Sequence, residues 1–197
     1  MIKLFNKWTV EGIKVDDPGL KKYINLNPVF VPKTGGKNVR VRFHKNRYNI
    51  VERLINHLMV PGHKGKKHKL SSGHCGGKGQ KNYATIIKTF NILEQKTGKN
   101  PIEILVKAIE NGAPREEITS IEYGGARYPQ AVDCAPQRRV DFALRMMVQG
   151  AFAKTFNSKK KFYNALAEEI IMAYNLDQKS NAVGKKLELE RQADSSR

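Results

Sequence analysis

The chain has 197 residues, with 36 Lys and Arg against 18 Asp and Glu, for a formal net charge of +18 and a pI of about 10.0. That imbalance argues against an ordinary metabolic enzyme and for a polyanionic partner, of which nucleic acid is the commonest, while 40% hydrophobic residues argue against a disordered basic tail. A mean hydropathy of -0.55 excludes a membrane-spanning apolar run, the start MIKLFNKWTVEG lacks a signal-peptide core, and Cys75 and Cys134 alone make no disulfide framework, so the chain reads as soluble and cytoplasmic.

Charge is uneven along the chain. Residues 33–81 hold 13 basic residues and one acid, Glu52, together with all five histidines. Two thirds of the excess charge therefore lies in a quarter of the chain, and repulsion that dense calls for an anionic partner.

Taken in order, residues 1–32 show a short apolar start, then turn signals at Asp17-Pro18-Gly19, Asn27-Pro28 and Val31-Pro32, with room for a short helix at Leu20–Ile24. This is an extension laid over something else. In 33–47, Val39, Val41 and Phe43 alternate with Arg40, Arg42 and His44, which fits either a short strand with one basic face or a basic arm that also carries Lys45 and Arg47. Ile50, Val51, Leu54, Ile55, Leu58 and Met59 recur at helical spacing, so 47–60 is an amphipathic helix stopped by Pro61-Gly62. Residues 62–80, with Lys64, Lys66, Lys67, Lys69 and Lys78 among many glycines, can form no core and read as a mobile basic loop. A second helix, 81–97, begins at Lys81 and ends before Gly98. A third begins with Asn100 as N-cap and Pro101 at its first position, and Glu103 fits a capping box.

The period then changes. Two β-prone runs in 117–134 flank Gly124-Gly125, which suits a tight hairpin turn, and Pro129 belongs on a free edge. Tyr123 and Tyr128 bracket the tip with Arg127 between. They either stack on a base or pack across the strands, cross-strand packing being the simpler reading. From Pro136 to about Thr155 runs the longest helix, with Val140, Leu144, Met147, Val148 and Ala151 on one side and Arg138 and Arg145 opposite. A fifth helix spans about 159–175. Lys159, Lys160 and Lys161 open it, where three cations oppose the helix dipole unless an anion binds. The last segment, 181–197, carries Lys185, Lys186, Arg191 and Arg197 and few apolar residues, so it has little to pack with and is expected to order only on a partner. The fold class is mainly α: a bundle of five to six helices in 47–175 with a protruding two-stranded hairpin arm, a basic extension over 1–46 and a tail over 176–197.

Catalytic and cofactor motifs do not stand. GHCGGKGQ lacks the glycine five residues before Gly77-Lys78, and Gly79 follows where a phosphate loop needs Ser or Thr. His63, His68, His74 and Cys75 fit no common zinc spacing. No nucleophile–base pair or paired carboxylates emerge, so no enzyme activity, cofactor or metal is expected. A helix-turn-helix over 81–111 is weakened by the acidic balance of 100–134. The basic residues carry the chemistry, by neutralising phosphates and releasing counterions.

The segments VERLINHLMVPG, TGKNPIEILVKAIENGAPREE and YGGARYPQAVDCAPQRRVDFALRMMVQGA resemble the universal small-subunit ribosomal protein S seven family (S five in eukaryotic nomenclature). The start IKLFNKW and the end KKLELERQADSSR resemble its archaeal and eukaryotic branch, the archaeal type above all, and the resemblance covers about 1–60 and 81–197. It implies a helical protein with a protruding hairpin that binds the 3′ major domain of 16S rRNA and nucleates head assembly. It further implies a place near the tRNA exit site and the mRNA exit path, contacts with neighbouring head and platform proteins, no membrane and no homo-oligomer. Carried over residue by residue, Gly62 to Lys67 matches the family's rRNA-binding loop and Arg138 and Arg139 its basic pair. Tyr123, Gly124, Gly125, Arg127 and Tyr128 match the hairpin tip, and Lys185 to Arg197 the tail. Residues 71–79 look inserted, and Tyr123 stands where the family often has a basic residue. The basic residues of 40–47, 64–81 and 159–161, with Arg138, Arg139 and Arg145, are the expected rRNA contacts. The alternative is a free-standing DNA- or chromatin-binding protein.

Overall fold

The computed structural model describes residues 2–36, 40–63 and 77–197, and residues 64–76, with Lys64, Lys66, Lys67 and Lys69, lie outside them. Six helices and one hairpin follow in order: α1 (Ile50–Leu58), α2 (Gly79–Thr97), α3 (Pro101–Gly112), β1 (Glu116–Tyr123), β2 (Ala126–Asp133), α4 (Pro136–Thr155), α5 (Phe162–Tyr174) and α6 (Asn181–Ser195).

Local chemistry sets most of the boundaries. Asn49 caps α1 by accepting from Val51 N–H at 2.9 Å, and Asn100 caps α3 by accepting from Ile102 N–H at 3.0 Å, with Pro101 at the first position. Glu103 adds no reciprocal bond to Asn100 N–H, so the expected capping box is absent. Gly98 ends α2 at φ 66°, a left-handed C-cap. Gly124 and Gly125 stand at φ 55° and 82°, the two positive values that a two-residue hairpin turn demands.

The core lies between the helices. Helix α5 packs on α2, α3 and α4 through Ala165, Leu166, Ile170 and Ala173, and α3 is buried nearly all round through Ile102, Ile104, Leu105, Val106 and Ile109. Each such aliphatic side chain contributes about 1.5–3 kcal/mol on burial. The N-terminal extension adds Leu4, Phe5, Trp8, Val10, Leu20 and Ile24 to the same core. Phe5, Trp8, Tyr83 and Phe90 meet edge-to-face, and Trp8 Nε1 donates to Glu94 at 3.1 Å. Asn25 O accepts from Ile50 N–H, and buried Glu52 accepts from both the N–H and the hydroxyl of Thr34, which ties the extension to α1.

Four expectations need correction. Residues 40–47 form no strand: they are turns closed by a 3-10 helix, His44–Arg47. Leu20–Ile24 is turns rather than helix, and α5 starts at Phe162, which leaves Lys159 and Lys160 before it and Lys161 as its N-cap. The C-terminal segment does have something to pack with. As α6 it lies against α4, α3 and both strands with Ala182, Val183 and Ala193 buried. Small residues make this approach possible: a Cβ on Gly112 would sit 3.1 Å from Ala182 Cβ, and one on Gly150 2.7 Å from Asn181 Cβ. Fully buried Glu169 closes the junction, accepting from Lys154 Nζ at 2.6 Å, from Ser180 Oγ at 2.9 Å and from Asn181 N–H at the positive end of α6.

Candidate nucleic-acid interface

The solvent side of α4 and the turns before α1 form one basic face. Arg40, Arg42 and Arg47 are exposed and, among the described residues, pair with no carboxylate. Phe43 sits between them, 65% exposed, with φ 59° and ψ 9° and with the Arg42 guanidinium carbon 5.3 Å from its ring centroid. Arg145 is exposed on α4 and likewise unpaired among the described residues. It borders two cavities. One, of about 410 Å³, is lined by Phe43, Gln137, Arg138, Phe142 and Met146 among others. The second, of about 700 Å³, lies between α1, α4 and α6, with Val60, Phe142, Lys185 and Leu189 in its wall. Lys78 and Lys81 stand exposed at the start of α2, beside the end of α1, since Gly79 lies against Met59.

Other expected contacts are held inside the fold. Arg139 is 11% exposed in its side chain, donating to Asp17 at 2.7 Å and to the Pro114 carbonyl at 3.0 Å. Burial works to raise the Asp17 pKa, but the Arg139 hydrogen bond and Gly19 N–H outweigh it, and the carboxyl titrates below its usual value. Arg138, 57% exposed, makes both Nε and Nη2 bonds to Glu117 at the hairpin base, at 2.8 and 2.6 Å. Lys45 pairs with Asp141, which also accepts from buried Arg53 at 2.8 Å and lies 3.7 Å from His57 Nε2. Burial would raise the Asp141 pKa, yet His57, Lys45 and Arg53 together hold it well below the usual carboxylate range. Lys160 pairs with Glu168, while Lys159 and Lys161 are exposed and unpaired among the described residues.

The hairpin and α6 form a second group. Arg197 pairs with Glu116, and Glu190 accepts from Arg115 N–H at 3.0 Å, so the end of α6 is fastened to the hairpin base. Lys185 pairs with Glu188, and Arg191 is exposed. Lys186 is turned inward to the Asn111 carbonyl at 3.1 Å, and burial lowers its pKa, with Arg115 and Arg139 adding to the effect. At the tip the register pairs Ile121 with Tyr128 and Tyr123 with Ala126, which puts both tyrosines on one face. Tyr123, opposite Ala126, is 80% exposed and Tyr128, opposite Ile121, 60%. Arg127 reaches Glu122 at 3.5 Å.

Burial, with Glu117 beside it, pushes the Cys134 thiol up to about 11. Among the described residues no group of His, Cys, Asp and Glu could hold a metal and no helix is long and apolar enough to cross a membrane; His68, His74 and Cys75 lie outside them.

Comparison with known proteins decides the family. The model of the ribosomal protein S7p/S5e family matches residues 20–197. The chain belongs to the ribosomal protein S7p/S5e family. The small ribosomal subunit protein uS7 of Nanoarchaeum equitans is 54% identical over 196 residues, spanning 100% of this chain and 99% of that protein. The similarity to an archaeal relative therefore runs through the N-terminal extension, the hairpin and α6 alike.

Within this family member, sequence reading found the cations but missed their surroundings. Nothing in the sequence singles out Gln137 or Asp141, and Phe43 reads only as one step of an apolar alternation, whereas Phe142 is legible as flanking the basic side of the long helix. The left-handed conformation that exposes the Phe43 ring has no sequence signature in a non-glycine residue.

Proposed function

We propose that the chain is a structural constituent of the small ribosomal subunit in the cytoplasm, without enzymatic activity, and that it binds the 3′ major domain of 16S rRNA and nucleates assembly of the head. The full-length similarity to a small-subunit protein carries this reading. The basic face supports it, since Arg40, Arg42, Arg47, Arg145, Lys78 and Lys81 keep their charge available for phosphates. Residues 64–81 extend the same contact through Lys64, Lys66, Lys67 and Lys69. The hairpin tip and α6 then lie toward the tRNA exit site and the mRNA exit path, where Tyr123 and Tyr128 present aromatic faces rather than charge. Neighbouring head and platform proteins complete the surroundings.

The test is affinity for a transcript of the 3′ major domain as salt is raised. Each phosphate contact adds about 0.7–0.9 to the log–log slope, so Arg40→Ala, Arg42→Ala and Arg47→Ala together flatten it by about two. An unchanged slope removes this face from the interface. Equal affinity for duplex DNA of the same length refutes the rRNA reading.

A further inference from the structure

The cavity shared by Phe43 and α4 has features that phosphate binding does not use. A bulky side chain rarely occupies the left-handed backbone region, and backbone strain of this kind gathers at ligand sites. Phe43 occupies it at φ 59°, and the outcome is a ring 65% exposed on a soluble surface. The Arg42 guanidinium lies 5.3 Å from the ring centroid. Beside the ring opens the cavity of about 410 Å³, with Phe142 and Met146 in its wall and Arg138 and Arg145 also lining it. Gln137 lines it too, and its amide has no hydrogen-bond partner among the described residues, leaving a donor and an acceptor free.

We infer that this cavity takes a single unpaired RNA nucleotide, its base stacked on Phe43 and its flanking phosphates held by Arg42, Arg138 and Arg145. The inference rests on the rRNA-binding reading and specifies which part of the RNA this site engages. Apolar walls with Arg138 and Arg145 around them, and with the one carboxylate of the lining, Asp141, already paired with Lys45 and Arg53, match a nucleotide, whose base has two apolar faces and whose backbone is anionic. A paired base cannot enter: its faces are covered by its neighbours in the stack, and RNA-binding proteins read splayed-out bases by stacking them on aromatic rings and guanidinium planes. Gln137 offers the amide that a base edge pairs with. An apolar side chain of a neighbouring protein would fill the walls but leave Arg145, which has no carboxylate partner among the described residues, without an anion.

Two RNA hairpins test it, one fully paired and one with a single bulged 2-aminopurine. The native chain is expected to bind the bulged hairpin about tenfold more tightly and to quench its fluorescence, as base–aromatic stacking does. Phe43→Ala is expected to bind both hairpins at the paired affinity without quenching, and Phe43→Trp to restore preference and quenching. A native chain that binds both hairpins equally, with a steep salt dependence, overturns the nucleotide site and leaves the rRNA reading standing. Phe43→Ala that keeps the preference overturns it as well and assigns the ring to a protein neighbour. Binding of neither hairpin refutes both readings.

Discussion

Gly150→Ala pits two known effects against each other. Alanine in a helix interior is favoured over glycine by about 1 kcal/mol, so propensity alone predicts a stabler protein. Packing predicts the reverse. A Cβ at 150 would lie 2.7 Å from Asn181 Cβ and 3.0 Å from Glu169 Cδ and Oε1. Neither neighbour can yield cheaply. Asn181 is the first residue of α6, and its Nδ2 donates to the Met146 carbonyl at 2.7 Å. Glu169 is fully buried and fixed by Lys154, Ser180 and Asn181. Overpacking costs about 1–3 kcal/mol, and loosening a hydrogen bond of buried Glu169 costs about 1–3 more. Less the propensity gain of about 1 kcal/mol, the net is a loss of about 1–5 kcal/mol, at about 2–4 °C in Tm per kcal/mol for a chain of this length. Urea unfolding gives the total, and hydrogen exchange localises it: amides of α6 should exchange faster while those of α3 keep their protection. Neutral or raised stability in Gly150→Ala would refute the claim that α6 is held by this close crossing.

The neighbouring arginines should separate. Arg138→Gln should weaken binding to the 3′ major domain transcript about tenfold at nearly unchanged Tm, because Arg138 is 57% exposed, a pair with one exposed partner is worth about 0–1 kcal/mol, and the Gln amide can still donate to Glu117. Arg139→Gln should cost about 1–3 kcal/mol of stability, since Asp17 and the Pro114 carbonyl lose a nearly buried donor. Equal effects of the two on Tm would contradict this division. Asp141 has a folded pKa below its unfolded value of about 3.9, so its contribution is present above that value and is lost as pH falls through the folded one. Asp141→Asn should therefore be less stable than the native chain at pH 7 and close the gap in acid; a gap that stays constant would show that the carboxylate charge is not what counts. Removing 122–128 with a short turn in their place should leave rRNA affinity nearly intact and alter tRNA retention at the exit site, whereas failed head assembly with normal tRNA behaviour would make the hairpin an anchor.

What was legible in the sequence follows from how local each signal is. The Asn100-Pro101 start of α3, the Gly98 stop of α2 and the Gly124-Gly125 turn are read from a few adjacent residues, and the structure has all three. Helix α6 was misjudged because its closest approaches set Ala182 against Gly112 and Asn181 against Gly150, and with only Ala182, Val183 and Ala193 buried it carries no apolar stripe. The candidate site divides in the same way. Which residues are cationic is plain, but whether each is available depends on distant acids. Arg139 is engaged by Asp17, 122 positions away, and Lys45 by Asp141, 96 away, while Arg145 meets no carboxylate among the described residues.

The central claim, that this chain is an rRNA-bound part of the small ribosomal subunit, is tested most directly by sedimentation. A tagged chain expressed in an archaeal host should travel with the small subunit through a sucrose gradient and stay there when high salt strips loosely bound proteins. Recovery at the top of the gradient, or with DNA rather than with the small subunit, would contradict the account.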